Sequence, residues 1–259
     1  MKPLSITIIQ SHLQWENPIA NCLNFSEKID GISENTDLVI LPEMFTTGFS
    51  MQATTLAEEA QGDTLNWMIS EAKKHAIAIT GSIIVREKKR FYNRLYFVFP
   101  NGDFKHYDKR HTFTLAGEHL TYTAGKEQLI IDYKGWKIFP LICYDLRFPV
   151  WARNTQEYDL VLYVANWPVK RITAWDTLLK ARAIENMAYC VGVNRVGLDG
   201  NGYEYSGHSA VFDVLGKQIS TKDFEKEFVE TVSLSKEYLN NQRLKLQFLK
   251  DRDSYQINF

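Results

Sequence analysis

Cysteine is scarce in this chain of 259 residues. The three present, Cys22, Cys143 and Cys190, are too few and too scattered for a disulfide framework, and none has the paired spacing of a zinc site. Charge of one sign is lacking too. Lys and Arg total 30 against 31 Asp and Glu, so a net charge of -1 gives no electrostatic reason to expect nucleic acid or an anionic membrane surface. No apolar run approaches the roughly 18 residues of a membrane span, and the stretch from Met1 to Gln10 is too short and too interrupted for a signal peptide. Repeats, linkers and low-complexity segments are absent from the sequence as well. These absences leave a soluble, cytoplasmic protein with a small-molecule or protein partner as the expectation.

What is present is apolar content of 45%, enough to bury the core of one large α/β domain. Ser5 to Gln10 reads as a first strand, Pro18 to Ile29 as a helix with Ile19, Leu23 and Ile29 on its apolar face, and Asp37 to Leu41 as a second strand. Thr64 to His75 repeats apolar residues at helical spacing through Leu65, Met68, Ile69 and Ala72. Ala76 to Val85 and Phe91 to Phe99 read as strands joined by the charged turn Lys88-Lys89-Arg90, and Asn101-Gly102 turns the chain back into Asp103 to Tyr107. Gln128 to Asp132 and Trp136 to Ile142 form a further hairpin. Asp159 to Ala165 and Tyr189 to Val193 flank a helix from Thr173 to Asn186, in which Arg182 and Glu185 are placed to pair beyond the helix's own core. Asp199-Gly200-Asn201-Gly202 is a turn, Ser209 to Leu215 and Phe228 to Leu234 are late strands, and Tyr238 to Leu249 is a helix or an extended arm. The expected organisation is one domain over residues 1–249 and a polar tail over 250–259.

Three strand ends carry groups with chemical use. Ile138 to Pro149 passes from an apolar strand into a sharp polar turn at Cys143 and then into Pro149-Val150-Trp151-Ala152, which can open a helix. A thiol at such a corner is held by rigid elements on both sides, although a free Cys is as readily a small buried hydrophobe. Glu43 follows the second strand beside Leu41, Met44 and Phe45, where partial desolvation suits a carboxylate to act as a base. Lys109 emerges from a hairpin strand. Beside an acid and a thiol it would be a fixed positive charge favouring thiolate and a developing oxyanion. Thr114 to Gly125 has no clear periodicity and reads as a long loop carrying Glu118, and His111 and His119 lack the spacing of metal ligands. Trp167, after the strand ending at Ala165, reads equally as a pocket wall or as core.

Taken together, Leu41-Pro42-Glu43-Met44-Phe45, Tyr107-Asp108-Lys109-Arg110-His111 and Leu141-Ile142-Cys143-Tyr144-Asp145-Leu146-Arg147-Phe148-Pro149 resemble the three signature segments of the nitrilase superfamily, in order and in spacing. The likeness extends through Ala165-Asn166-Trp167-Pro168, Ala181 to Asn186 and Gly207-His208-Ser209, and it is closest to the bacterial ω-amidase branch of the carbon–nitrogen hydrolases. The resemblance implies a four-layer αββα sandwich, where the strands and helices alone would suggest a three-layer sheet. It implies Glu43 as general base, Cys143 as nucleophile, Lys109 as oxyanion partner and Glu118 as a fourth carboxylate that positions Lys109 or the amide. Phe113-Thr114 departs from the Phe-Asp common in relatives, which bears on the loop leading to Glu118.

The chemistry so implied is thioester-forming hydrolysis of a small ω-amide such as 2-oxoglutaramate or 2-oxosuccinamate, with no metal and no organic cofactor. Phe113, Tyr144 and Trp167 would contact the substrate, with Arg147 or Arg171 for its carboxylate, and Arg147 would alternatively brace the turn. The same fold also admits N-carbamoyl hydrolysis or acyl transfer, and a non-catalytic binding domain is the reading from another class. A homodimer with residues 250–259 at its interface completes the expectation.

Overall fold

The computed structural model describes residues 2–221 and 224–257. Its first half runs β1 (Leu4–Gln10), α1 (Pro18–Asp30), β2 (Leu38–Ile40), α2 (Ala53–Leu56), β3 (Glu58–Glu59), α3 (Asp63–His75), β4 (Ala78–Glu87), β5 (Arg90–Val98), β6 (Phe104–Asp108) and α4 (Glu118–Thr121). Its second half runs β7 (Ile131–Tyr133), β8 (Trp136–Ile142), α5 (Pro149–Ala152), β9 (Leu160–Ala165), α6 (Ile172–Asn186), β10 (Tyr189–Asn194), β11 (Val196–Leu198), β12 (Glu204–Ser206), β13 (Ala210–Phe212), β14 (Phe228–Leu234) and α7 (Lys236–Leu246).

The strands make two sheets and a separate hairpin. One sheet has the order β14-β1-β2-β4-β5-β6 with β3 added along β4, the other has the order β13-β10-β9-β8-β7, and β11 pairs with β12 and bridges to His12 through Val196. Period-two alternation sorts the first sheet's side chains between two faces. Ile6, Ile8, Leu38, Ile40, Leu95 and Phe97 share one buried cluster with Ile138, Leu141, Leu162 and Val191 of the second sheet. Their neighbours Ile9, Val39, Leu41, Ile79, Tyr96 and Val98 face the other way, onto Phe25 and Ile29 of α1 and Leu65, Met68 and Ala72 of α3. Trp175, Leu179 and Ala183 of α6 cover the second sheet. That approach is close enough to require glycine at 192, where a Cβ would sit 2.4 Å from a Leu179 methyl and 2.6 Å from the Trp175 ring. The order of layers is therefore helix, sheet, sheet, helix. Each large apolar side chain so buried contributes roughly 1.5–3 kcal/mol.

Three local expectations need correction. In α1, Ile19 and Leu23 are 77% and 62% exposed, while Asn21, Phe25 and Ile29 face inward. A polar residue owns the inner face there because Asn21 donates to the carbonyls of Gln14 and Thr46 and accepts from the Gln14 N–H, closing the turn that precedes the helix. The stretch from Thr114 to Gly125 is not a featureless loop. It winds through a 3₁₀ turn, Thr114–Ala116, and then α4, with Gly117 in the left-handed region at φ 73° between them. Arg182 and Glu185 pair first with each other at 2.9 Å, and the second Arg182 nitrogen donates to the Leu146 carbonyl at 2.6 Å, tying α6 to the turn after Cys143.

The C-terminal segment resolves as the helix α7, followed by a 3₁₀ turn over Phe248–Asp251. Of the tail, Tyr255 donates its hydroxyl hydrogen to the Val150 carbonyl and Ile257 packs against the main core, while Asn258 and Phe259 lie outside the described residues. No helix of the described residues is long and apolar enough to cross a membrane.

Candidate active site

Because β2, β8, β9 and β10 run parallel within their sheets and β6 returns in the direction of β4, the segments leaving all of these strands collect at one end of the sandwich. The turn after β2 is clamped onto β4 by the Met44 N–H to the Ser82 hydroxyl at 2.9 Å and the Phe45 N–H to the Ser82 carbonyl at 3.1 Å. Met44 takes φ 42°, and Glu43 before it is completely buried. Lys109, just past β6, is anchored by its own N–H to the Asn93 carbonyl. Its ammonium donates to Glu43 Oε1 at 2.8 Å and to the two Glu118 oxygens at 3.0 and 2.9 Å.

The two buried carboxylates share the one ammonium. Burial alone would lower the Lys109 pKa, but the carboxylates of Glu118 and Glu43 more than offset it and keep the amine protonated. Glu118 is raised as well: burial, helped by the charge of Glu43, outweighs the pull of Lys109. Its second oxygen accepts the Phe113 N–H, so the loop that carries it folds around it. Thr114 is exposed, and the departure from Phe-Asp leaves Glu118 in place.

Cys143 starts a 3₁₀ turn, Cys143–Arg147, at the end of β8 and takes φ 44°, in the left-handed region. Asp145 fixes this corner. Its buried carboxylate accepts the Ile142 N–H at 3.0 Å, the Tyr107 hydroxyl at 2.9 Å and the His111 N–H at 2.9 Å, with His111 Nδ1 at 2.8 Å. The carboxylate thus joins the segment bearing Lys109 to the turn bearing Cys143, while the His111 ring stacks on Phe148 at 3.6 Å. The bracing role considered for Arg147 belongs to Asp145. The thiol itself is pushed well above its ordinary pKa by burial and then by the charge of Glu43, with Lys109 pulling the other way. Lys109 thus acts in the expected direction and is outweighed.

Above this floor lies a cavity of about 400 Å³. Cys143, Lys109, Phe113, Tyr144, Trp167, Arg147 and Arg171 all line it, so the sequence-predicted residues converge except the two glutamates, which lie beneath. Trp167 is both wall and core, being 3% exposed and held by its N–H to Asn194 Oδ1 at 2.8 Å and by its indole N–H to the Arg171 carbonyl at 2.8 Å. The Arg147 guanidinium sits 5.0 Å from the centre of the Trp167 ring, and that of Arg171 sits 5.0 Å from the centre of the Phe113 ring. Among the described residues neither has a carboxylate within ion-pair distance.

Sequence reasoning missed the amides. Asn93 donates from one nitrogen to Glu43 at 2.7 Å and to Glu118 at 3.3 Å, and the Asn166 backbone N–H donates to Glu43 Oε2 at 2.8 Å. Asn166 Nδ2 also donates to the Glu43 carbonyl. Asn166 stood in a quoted segment, but Asn93 lies mid-strand with no motif to mark it. Phe49 and Met51 from the turn after β2, and Asp199, Asn201, Tyr203 and Tyr205 from the β11–β12 hairpin, were also unforeseen cavity residues.

A four-layer α/β fold that gathers a thiol, a carboxylate and an ammonium under one small cavity has the layout of a hydrolase that works through a cysteine. The chain belongs to the carbon–nitrogen hydrolase family, which it matches over residues 5–243, and is a hydrolase acting on amides. It is 44% identical over 257 residues to the omega-amidase YafV of Escherichia coli K12, covering 99% of this chain and 100% of that one. The 2-oxoglutaramate amidase of Bacillus subtilis is 34% identical over 230 residues, 87% of this chain and 88% of that enzyme. Among solved structures, the CN-hydrolase superfamily protein XC1258 of Xanthomonas campestris, described with an arsenic adduct in its active site, superposes with a TM-score of 0.97 at 42% identity and full coverage of both chains.

Proposed function

We propose that this protein is an ω-amidase that releases ammonia from short 2-oxo acid amides, 2-oxoglutaramate or 2-oxosuccinamate. What supports the substrate most is the cavity itself: a thiol, carboxylate and ammonium at its floor and two guanidinium groups without acidic partners on its walls. The similarity to an omega-amidase over essentially the whole chain points the same way.

In this reading Glu43 takes the Cys143 proton as sulfur attacks the amide carbon. Lys109 and the Tyr144 N–H hold the oxyanion, with Glu118 keeping Lys109 in place. Collapse breaks the C–N bond, and the Glu43 proton leaves on ammonia. Water then attacks the thioester, giving one proton to Glu43, and the thiol departs carrying it. Every proton is accounted for by these side chains, so the cycle calls for no metal or organic cofactor. The raised thiol pKa fits a base that removes the proton during attack rather than a standing thiolate.

Arg147 and Arg171 would bind the substrate's carboxylate, and Phe113, Tyr144 and Trp167 would wall its carbon chain, leaving little room for long or aromatic nitriles. Ammonia release from 2-oxoglutaramate, 2-oxosuccinamate and unrelated aliphatic amides tests this directly. Equal kcat/KM across that panel would reduce the protein to a generic amidase.

We also infer a cytoplasmic homodimer, with the segment 250–259 at its interface. Leu244, Phe248 and Tyr255, each an exposed large apolar side chain near the C-terminus, support that surface. A monomer in light scattering at micromolar concentration refutes the dimer, and assembly unchanged after deletion of the tail refutes the tail's part in it.

A further inference from the structure

Arg195 is a fully buried guanidinium whose hydrogen bonds among the described residues go to backbone carbonyls and to no carboxylate. It follows β10 and leads into the β11–β12 hairpin. One terminal nitrogen donates to the carbonyls of Leu13 at 3.2 Å and Leu198 at 2.9 Å, and Nε reaches the Val196 carbonyl at 3.4 Å. The other terminal nitrogen, Nη1, is buried with no hydrogen-bond partner among the described residues. Asp199 is close enough to be felt electrostatically, but its oxygens are occupied by the N–H groups of Asn201 and Tyr203 and by the Tyr205 hydroxyl.

The guanidinium carbon lies 4.8 Å from the centre of the Tyr205 ring, and Tyr205 and Asp199 both line the cavity. On another side the group abuts Gly48, where a Cβ would come within 3.2 Å of Nη1. Backbone carbonyls call for hydrogen-bond donors and not for a charge. A full charge held out of water without a pair is a far costlier way to meet them, and guanidinium does not shed its proton to escape the cost.

We propose that Arg195 is a specificity-determining residue: a fixed cation behind the Tyr205 wall whose counter-charge is the carboxylate of the bound substrate. It does not touch the substrate. Its field adds to those of Arg147 and Arg171, and because it is buried that contribution is screened little by salt. The inference rests on the anionic-amide reading above. At an effective dielectric near 20, a charge roughly 10 Å from an anion is worth about tenfold in affinity.

The test compares 2-oxoglutaramate with the neutral pentanamide, using wild type, Arg195→Gln and Arg195→Lys. Arg195→Gln is expected to lower the ratio of the two kcat/KM values about tenfold, through KM for the anion, and Arg195→Lys to keep most of the ratio. Asp199→Asn removes the opposing negative charge from the same wall and is expected to move the ratio up. Because Asp199 itself lines the cavity, that variant reports the net charge of the wall, and Arg195→Met is the second charge deletion that decides the matter if Arg195→Gln does not fold. A wild-type preference that survives Arg195→Gln, or Arg195→Met in its place, unchanged overturns this inference alone. A wild type with no preference for the anion overturns the substrate reading, and this inference with it.

Discussion

The floor and the walls of the cavity treat charge in opposite ways. At the floor, Glu43, Lys109 and Glu118 are buried to within 1% and satisfy one another at 2.8 to 3.0 Å, with Asn93 and Asn166 taking up further oxygens. On the walls, Arg147 and Arg171 lie over aromatic rings with no acid to pair with among the described residues. A network with its internal bonds already made is organised before the substrate arrives, so it can favour a transition state without rearranging. Cations lacking internal partners are organised for what arrives. Chemistry should therefore reside in the floor and recognition in the walls.

The sharpest attempt to break that division is at the thiol. Cys143→Ala should abolish turnover and leave the fold intact, whereas Cys22→Ala and Cys190→Ala stay active; equal losses in ammonia release at all three would make Cys143 structural. Next, Glu43→Gln and Lys109→Ala should each cost roughly 10²- to 10⁴-fold in kcat. Both act on one tetrahedral intermediate, so steady-state kinetics of the double variant should show less than the product of the two losses. A smaller effect is expected at the walls. Arg147→Met and Arg171→Met should raise KM for 2-oxo acid amides by about tenfold or more, the worth of a charged hydrogen bond, with kcat changed much less. A pure kcat effect there would erase the distinction between floor and wall.

The smallest expected effect is a shift in pH. Burial and Glu43 raise the Cys143 pKa while Lys109 lowers it, so removing the carboxylate in Glu43→Gln should move the midpoint of Cys143 alkylation by iodoacetamide to lower pH. Lys109→Ala should move it higher. The first variant would then be more readily alkylated yet catalytically crippled, a combination that fits Glu43 as the proton carrier of the reaction and not as a group that lowers the thiol pKa.

How legible this was in the sequence depended on range. Strand ends are local, so Glu43, Lys109 and Cys143 could be placed from apolar runs and the residues that break them. The four-layer arrangement could not, because periodicity tells that Ile6 and Ile9 face opposite ways but not what each face meets; the family resemblance supplied that. Asn93 escaped because a polar residue inside an aromatic strand looks like any half-exposed position until Glu43 and Glu118 are brought over it. The inner face of α1 was misread for a similar reason. Hydropathy chose Ile19 and Leu23, whereas the Asn21 side chain had a prior claim through the backbone groups it satisfies. Arg147 was half understood, since a turn needing a brace was foreseen but the acid two residues from Cys143 provides it.

The backbone at Cys143 bears on how the chain can drift. At φ 44° an L-residue is strained, by about 1 to 3 kcal/mol for such conformations, and glycine is the residue that suits the position best. A lineage selected only to stay folded would be drawn toward glycine at 143 and would gain stability by discarding its thiol. If Cys143 is the nucleophile proposed above, position 143 is where a descendant that no longer uses the reaction would be expected to change first.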